Sequence, residues 1–427
     1  MKYLFLHIIL FIGLIANAQQ TPAKRQTEKV TIQGATLHLG NGKVIENSNI
    51  TFENGFITAI GNETAAPNGM VINATGKHVY PGFIVPNSTL GLGELDAVKA
   101  TIDEQEIGDD VPNVRSLIAY NAESQVVEAS RLNGVLLAQI TPQGGNISGT
   151  SSIVQLDAWN WEDAAVKVDD GIHLNWPTLF KSKNEGFGSR VFSEENKEYS
   201  EKVADITDLF LQAKNYNQKS NNSRNLGFES LKSLFSGDKK LYIHADLEQE
   251  IIDAIQFSKD LNIKDMVIVG GGESHKVMEL LKSSNTSVLV KRVHSLPNSE
   301  DDDYDMFYKL PALLMQNNIL VGLEASGQMD RMNTRNLPFY AGHTTAYGID
   351  QEQALQMITE NTAKILGISD KYGTLEVGKS ATLFISEGNA LDMRTNQLID
   401  AFIDGRKIIL KSHQTELYER YRDKYSK

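Results

Sequence analysis

The chain has 427 residues, 22% of them charged and 41% hydrophobic, a globular composition long enough for one large domain and a smaller companion. Its 41 Lys and Arg against 54 Asp and Glu give a formal charge of −13, which disfavours a general affinity for nucleic acid or for an anionic membrane. It contains no Cys, and this excludes disulfides, thiolate nucleophiles, Cys-ligated zinc and a lipid anchor on Cys.

Residues 1–18 carry Lys2, the apolar run LFLHIILFIGLIA and the small-residue pattern Ala16-Asn17-Ala18. That is the pattern of a secretory signal peptide cleaved after Ala18, too short and too weakly flanked for a transmembrane anchor. The expectation is a periplasmic or secreted protein with no membrane anchor. Residues 19–78 begin polar and continue as KVTIQGATLHLGNGKVIENSNITFENGFITAIG, where apolar and polar residues alternate between Gly and Asn turns, as short antiparallel strands do. Residues 369–411 have the same texture, with a turn at Asp404-Gly405, so the two ends predict one small β-sandwich domain built from both termini.

Between them, residues 79–368 alternate apolar runs (VYPGFIVPN, GVLLAQITP, SSIVQLD, KLYIHAD, DMVIVGGG, SVLVKRV, ILVGLEASG) with helical stretches such as LEQEIIDAIQFSKDL and HKVMELLKSS. Repeated strand–helix alternation predicts buried parallel strands covered by helices, most simply a closed (β/α)8 TIM-like barrel. An open doubly wound sheet is the rival, but no GxGxxG or Walker-type loop supports it. Residues 182–238 are polar without a clear strand and read as a helical insertion. Residues 412–427 read as an exposed amphipathic helical tail that covers the β domain or meets a neighbouring subunit in an oligomer.

The segment GKHVYPGFIVPNSTLGLGE resembles the first barrel strand of amidohydrolases related to imidazolonepropionase, in which PGFID and a small residue precede a His-x-His motif. GGNISGTSSIVQLDAWNWEDA, LYIHAD, RNLPFYAGHTTAYGIDQEQALQMITENTAKILGI and GTLEVGKSATLFI extend the resemblance over nearly the whole mature chain. The resemblance to the amidohydrolase superfamily implies a barrel with a composite β domain. It also implies metal-assisted hydrolysis of C–N bonds other than peptide bonds, with zinc the first choice of metal.

The ligand positions depart from that pattern. The two first-strand histidines are replaced by Asn87 and Thr89, an amide and a hydroxyl that bind zinc or iron weakly, and the preceding Asp by Val85. The fifth-strand His is retained as His244, the one metal ligand that survives clearly. The sixth strand ends in Gly270–Gly272, with His275 on the element that follows. The eighth-strand Asp, ligand and general base in the family, falls on or near Ser326. Glu324 lies two residues earlier on the same side of the strand, and Asp330 in the next loop.

Two readings follow. In one, the metal centre is degenerate, no metal is needed, and the protein binds a small amide-like ligand or a periplasmic partner protein. Trp159 and Trp161, with Trp176 and His173 nearby, then serve as contacts, and Asn87, Thr89 and His294 line the pocket. The alternative is an active hydrolase of small amides with a non-standard site, in which His244 is ligand or acid/base. Glu324, Ser326, Asp246, Glu273 or His294 then supply the remaining groups around a single divalent metal.

Overall fold

A computed structural model describes residues 21–61, 69–184, 190–218, 224–297, 302–327 and 329–426. The signal-peptide expectation for residues 1–18 lies outside them. The larger unit is an eight-stranded sheet curled into a nearly closed barrel. Its strands are β1 (Phe83–Ser88), β2 (Val135–Ile140), β3 (Ile147–Gln155), β4 (Ala165–Asn175), β5 (Lys240–Ala245), β6 (Met266–Gly270), β7 (Ser287–Val290) and β8 (Val321–Leu323), hydrogen-bonded in that order. The seam between β8 and β1 is filled by the chain at 357–358, where Ile84 N donates to Ile358 O at 2.9 Å and Leu323 N to Met357 O at 3.3 Å.

The barrel departs from the all-parallel expectation at one strand. β1–β2 and β4 through β8 pair in parallel, but β3 runs antiparallel to both neighbours. The cause is the connection: residues 141–146 give only six residues between β2 and β3, and a parallel crossover needs a dozen or more. Ile147 therefore lies beside Leu174 at the carboxyl end of the parallel strands, and Val154 beside Ala165 at the opposite end.

Side chains alternate across the sheet as a pleat requires. Ile84, Leu137, Ile153, Tyr242, Val267, Val269 and Leu289 share the barrel interior, whereas Val85, Ala138, Val154, Ile243, Ile268 and Val288 pack outward in the core with the helices. Carrying this period on from Tyr242 and Leu289 puts His244 and Lys291 on the inner face at the carboxyl end.

Both ends of the chain build the second unit. Its strands lie in the order Arg406–Lys407, Leu398–Ile403, Leu383–Ser386, His78–Pro81, Val30–His38, Val44–Glu53 and Phe56–Ile60, with Met70–Asn73 also paired to Val30–His38. The antiparallel pairing of Leu383–Ser386 with His78–Pro81 joins the termini into one sheet. Asn54-Gly55 (φ 52° and 87°) and Asp404-Gly405 (φ 47° and 71°) make its tight hairpin turns, where two successive positive φ angles suit Asn, Asp and Gly.

The insertion begins with a two-stranded hairpin, Phe180–Asn184 with Arg190–Glu195, before helices α1 (Tyr199–Gln218) and α2 (Leu226–Ser236). Its strands are too polar to show the alternation that identifies a strand in sequence. The tail helix His413–Tyr425 is capped by Ser412, whose Oγ accepts from Thr415 N at 3.3 Å.

Candidate functional site

The carboxyl end of the barrel gathers polar side chains from five strands. At the end of β8, Glu324 is 2% exposed. Asn87, at the end of β1, donates its Nδ2 to Glu324 Oε2, and Ser326 Oγ donates to Glu324 Oε1 at 2.6 Å. Asn87 sits at φ 48°, a left-handed conformation that Asn tolerates better than most residues with a side chain. Burial pushes the Glu324 carboxyl up to about 7, against the two hydrogen bonds that favour its anion.

A histidine pair forms the second part of the floor. His173 on β4 and His244 on β5 face each other with Nδ1 and Nε2 2.9 Å apart, and the His173 ring stacks on Tyr242 with centroids 4.7 Å apart. Burial drops His244 to about 4, and burial with the neighbouring His244 holds His173 well below the ordinary imidazole range. The pair is neutral at neutral pH.

Beneath both parts lies a buried network. Asp170 on β4 accepts from Ser151 Oγ (2.8 Å), Gln139 Nε2 (2.9 Å) and Tyr242 OH (2.8 Å). Gln139 Oε1 in turn accepts from Asn87 N at 3.0 Å. This network fixes the backbone of Asn87 and the ring on which His173 rests, connecting the Glu324 cluster to the histidine pair through side chains on β2, β4 and β5.

An ion pair completes the inner rim. Lys291 Nζ lies 3.1 Å from Asp246 Oδ2 and 4.5 Å from the centroid of the Phe307 ring, while Gly272 N donates to Asp246 Oδ1 at 3.0 Å. Both charges act on Glu324 in opposite senses.

Of the residues expected from sequence, Asn87, Glu324 and Ser326 come together, and His244 is linked to them through His173, Tyr242, Asp170 and Gln139. Thr89 does not face this cluster as a free ligand: its Oγ1 donates to Asp330 Oδ2 at 2.7 Å and its N to the same oxygen at 3.1 Å. Asp330 is thus a structural acceptor, and it begins the short helix Asp330–Asn333 where the sequence suggested a loop. Asp246 belongs to the ion pair with Lys291, and Leu247 occupies the N-cap position of the helix Glu248–Leu261. Glu273 accepts from Glu248 N at 2.7 Å and pairs with Lys276 at 2.6 Å. His275 sits in the turn Ser274–Lys276, bonded to the backbone of Gly272.

His294 is exposed and meets His343, with ring centroids 5.1 Å apart beside Tyr308 and Tyr340. Trp159 and Trp161 follow the reversed strand β3 and so lie at the opposite end of the barrel from Asn87 and His244, with Trp159 64% exposed. Trp176 alone of the three is near the site. It is buried, its N donates to His244 O at 3.0 Å and its Nε1 to Tyr199 OH at 3.1 Å.

Sequence reasoning underrated His173 and passed over Lys291. Both end apolar runs, GIHLN and SVLVKRV, and a polar residue at the carboxyl end of a barrel strand is the signal that identifies them.

The metal that the resemblance implies needs a particular donor set. A catalytic zinc takes about three imidazole or carboxylate ligands and an open position. Here the β1 positions offer an amide and a hydroxyl already held by Asp330, β6 ends in glycine, and the facing nitrogens of His173 and His244 bond each other. Among the described residues no group of three His, Cys, Asp or Glu side chains could hold a metal ion. The residues do not fit the group.

In sequence, residues 311–408 match the model of the amidohydrolase family. No curated protein is a match. In structure, the chain is similar to an amidohydrolase from Thermotoga maritima at 22% identity and a TM-score of 0.77, over 89% of this chain and 99% of that one. A prolidase follows at 14% identity and a TM-score of 0.56 (89% and 99% covered), and a zinc-bound adenosine deaminase from Xanthomonas campestris at 13% identity and 0.52 (92% and 98% covered). None of these singles out the imidazolonepropionase-like branch. The fold of the chain is that of the amidohydrolase superfamily, and residues 311–408 carry the amidohydrolase family's sequence pattern.

Proposed function

We propose that this is an exported amidohydrolase-fold protein, impaired in the family's metal-assisted hydrolysis, that binds a small uncharged amide-like ligand at the carboxyl end of its barrel. Export rests on the leader pattern of residues 1–18 and places the protein in the periplasm or outside the cell. The impairment rests on the donor set: a metal-held water needs ligands that Asn87, Thr89 and Gly270 do not supply.

The observation that carries the ligand class is a pair of buried atoms, Asn87 Oδ1 and His173 Nε2, that have no hydrogen-bonding partner among the described residues. Leaving such an atom unpaired costs about 1–3 kcal/mol. A ligand that carries both a donor and an acceptor recovers that cost. The charges around them balance, because Lys291 neutralises Asp246, the histidines are neutral and Glu324 retains its proton up to about 7. A neutral amide suits such a floor better than an ion does.

Elemental analysis of the mature protein purified without chelators, beside His244→Ala, tests the first half. No stoichiometric zinc, iron or manganese is expected. One metal per chain that disappears in the variant overturns the reading. Thermal shift with a panel of cyclic amides and dipeptide amides tests the second: stabilisation of the wild type that is lost in Asn87→Ala is expected, and a panel without any shift refutes it.

A further inference from the structure

We propose that Ser326 is a nucleophile and Glu324 its general base, so that the ligand site also performs metal-free acyl transfer on small esters or activated amides. The inference rests on the ligand-site reading and adds a chemistry to it. Ser326 Oγ donates to Glu324 Oε1 at 2.6 Å, within the range of a nucleophile activated by a neighbouring base. Glu324 is 2% exposed, whereas Ser326 remains half-exposed beyond the end of β8. The base is shielded from water, while the residue that carries the hydroxyl keeps some access to solvent.

The base is also oriented. Asn87 Nδ2 holds the second carboxylate oxygen, and Asn87 is itself fixed through Gln139 to the buried Asp170. A nucleophile, a base and a third group that holds the base is the arrangement of acyl-transfer centres on unrelated folds. A cation lies near the following residue: a Cβ placed on Gly327 would lie 3.7 Å from Arg292 Nη2. Arg292 has no carboxylate partner among the described residues, and its buried Nε has no partner either. A guanidinium that reaches from there toward the reacting carbonyl can stabilise the oxyanion that forms.

The steps balance without any further reactant than water. With Glu324 ionised, as it is above about 7, Ser326 Oγ attacks the carbonyl carbon, a C–O bond forms, and the hydroxyl proton passes to Glu324. Collapse of the tetrahedral adduct breaks the bond to the leaving amine or alcohol, which takes the proton from Glu324 and leaves an acyl-Ser326. Water then attacks the acyl carbon, its proton passes to Glu324, and the released Ser326 oxygen recovers that proton as the carboxylic acid departs.

Intact-mass spectrometry and peptide mapping after exposure of the full mature protein to a fluorophosphonate probe tests the proposal. One adduct per chain on Ser326 is expected, absent in Ser326→Ala and formed at least about tenfold more slowly in Glu324→Gln, removal of a positioned base being worth about 10²–10⁴ in rate. Arg292→Gln, which leaves the Ser326–Glu324 pair intact, is expected to slow labelling as well. No adduct in folded wild type, an adduct on another residue, or undiminished labelling of Glu324→Gln overturns the proposal. The amide thermal shift is measured on the same samples. A shift that persists without an adduct sinks the nucleophile and leaves the ligand site standing, whereas an adduct on Ser326 without any amide shift supports the nucleophile and sinks the amide reading.

Discussion

Replacing Glu324 by Gln tests the electrostatics of the site directly, because it removes a titrating group and retains its shape. The Glu324 carboxyl sits at about 7 in the fold against an ordinary value of 4.5. Its folded pKa is raised, so its contribution to stability is fully present below 4.5 and is lost as pH rises through 7. A shift of that size corresponds to about 3 kcal/mol in all at 1.36 kcal/mol per pH unit, of which roughly 2.5 kcal/mol falls between about pH 5 and about pH 8. Other buried acids, Asp170 and Glu250 among them, are also raised, but they are common to both proteins and cancel in the comparison. Urea denaturation of wild type and Glu324→Gln at the two pH values gives the quantity. The wild type is expected to lose about 2–3 kcal/mol relative to the variant on going to the higher pH. Parallel pH profiles would mean that Glu324 is solvated or paired with a cation, and the account of the floor as an uncharged surface would fall.

On the acid side, His244 is lowered from 6.5 to about 4, so its contribution is present above 6.5 and lost as pH falls toward 4. His244→Gln is expected to lose up to about 3 kcal/mol less than wild type over that window, read by the same denaturation assay. Tyr242→Phe removes one of three donors to the buried Asp170 and is expected to cost about 1–3 kcal/mol in urea; a change below about 0.5 kcal/mol contradicts a stabilising network. At Gly171 a Cβ would come within 2.3 Å of the Tyr242 ring. Gly171→Ala therefore pushes that ring off both Asp170 and His173, with a destabilisation of about 1–3 kcal/mol and a weaker response to amides in thermal shift. An unchanged melting temperature and amide response would show that the ring moves without consequence.

The barrel and the composite sheet were legible because their signals are local. Apolar runs of strand length, the Asn54-Gly55 and Asp404-Gly405 turns and the alternation of Val30–His38 each follow from burial or backbone geometry at those residues. Strand direction is not local in that sense. β3 is buried along its whole length, and a run buried on both faces reads the same whichever way it points. Only the short 141–146 connection carries the direction. The reversal carries Trp159 and Trp161 to the end of the barrel away from Asn87 and His244, against the expectation that they contact a ligand there. The same region concealed His173, because the strand Ala165–Asn175 was not separated from the segment before it. Asn87, Glu324, Ser326 and His244 were legible for a different reason: each lies at the carboxyl end of a barrel strand, where neighbours supplied by the rest of the fold determine its chemistry.

Those neighbours also account for how the barrel tolerates a buried acid at the end of its eighth strand. A carboxylate at the end of the eighth strand, buried with a metal, has a cation to balance it; buried without one, it would carry a cost of several kcal/mol. In this chain two features reduce that cost. Glu324 takes up a proton below about 7, and Asn87 donates to it as a neutral amide. A neutral imidazole at position 87 could also donate, but protonating it would add a positive charge beside a histidine pair that burial already holds neutral. Asn87 gives the hydrogen bond without that charge, and its tolerance of φ 48° suits the backbone turn at the end of β1. The amide at 87 and the acid at 324 therefore depend on each other, and the acid's other oxygen accepts from Ser326. The site thus holds an acid–base group within reach of a hydroxyl at the carboxyl end of the barrel.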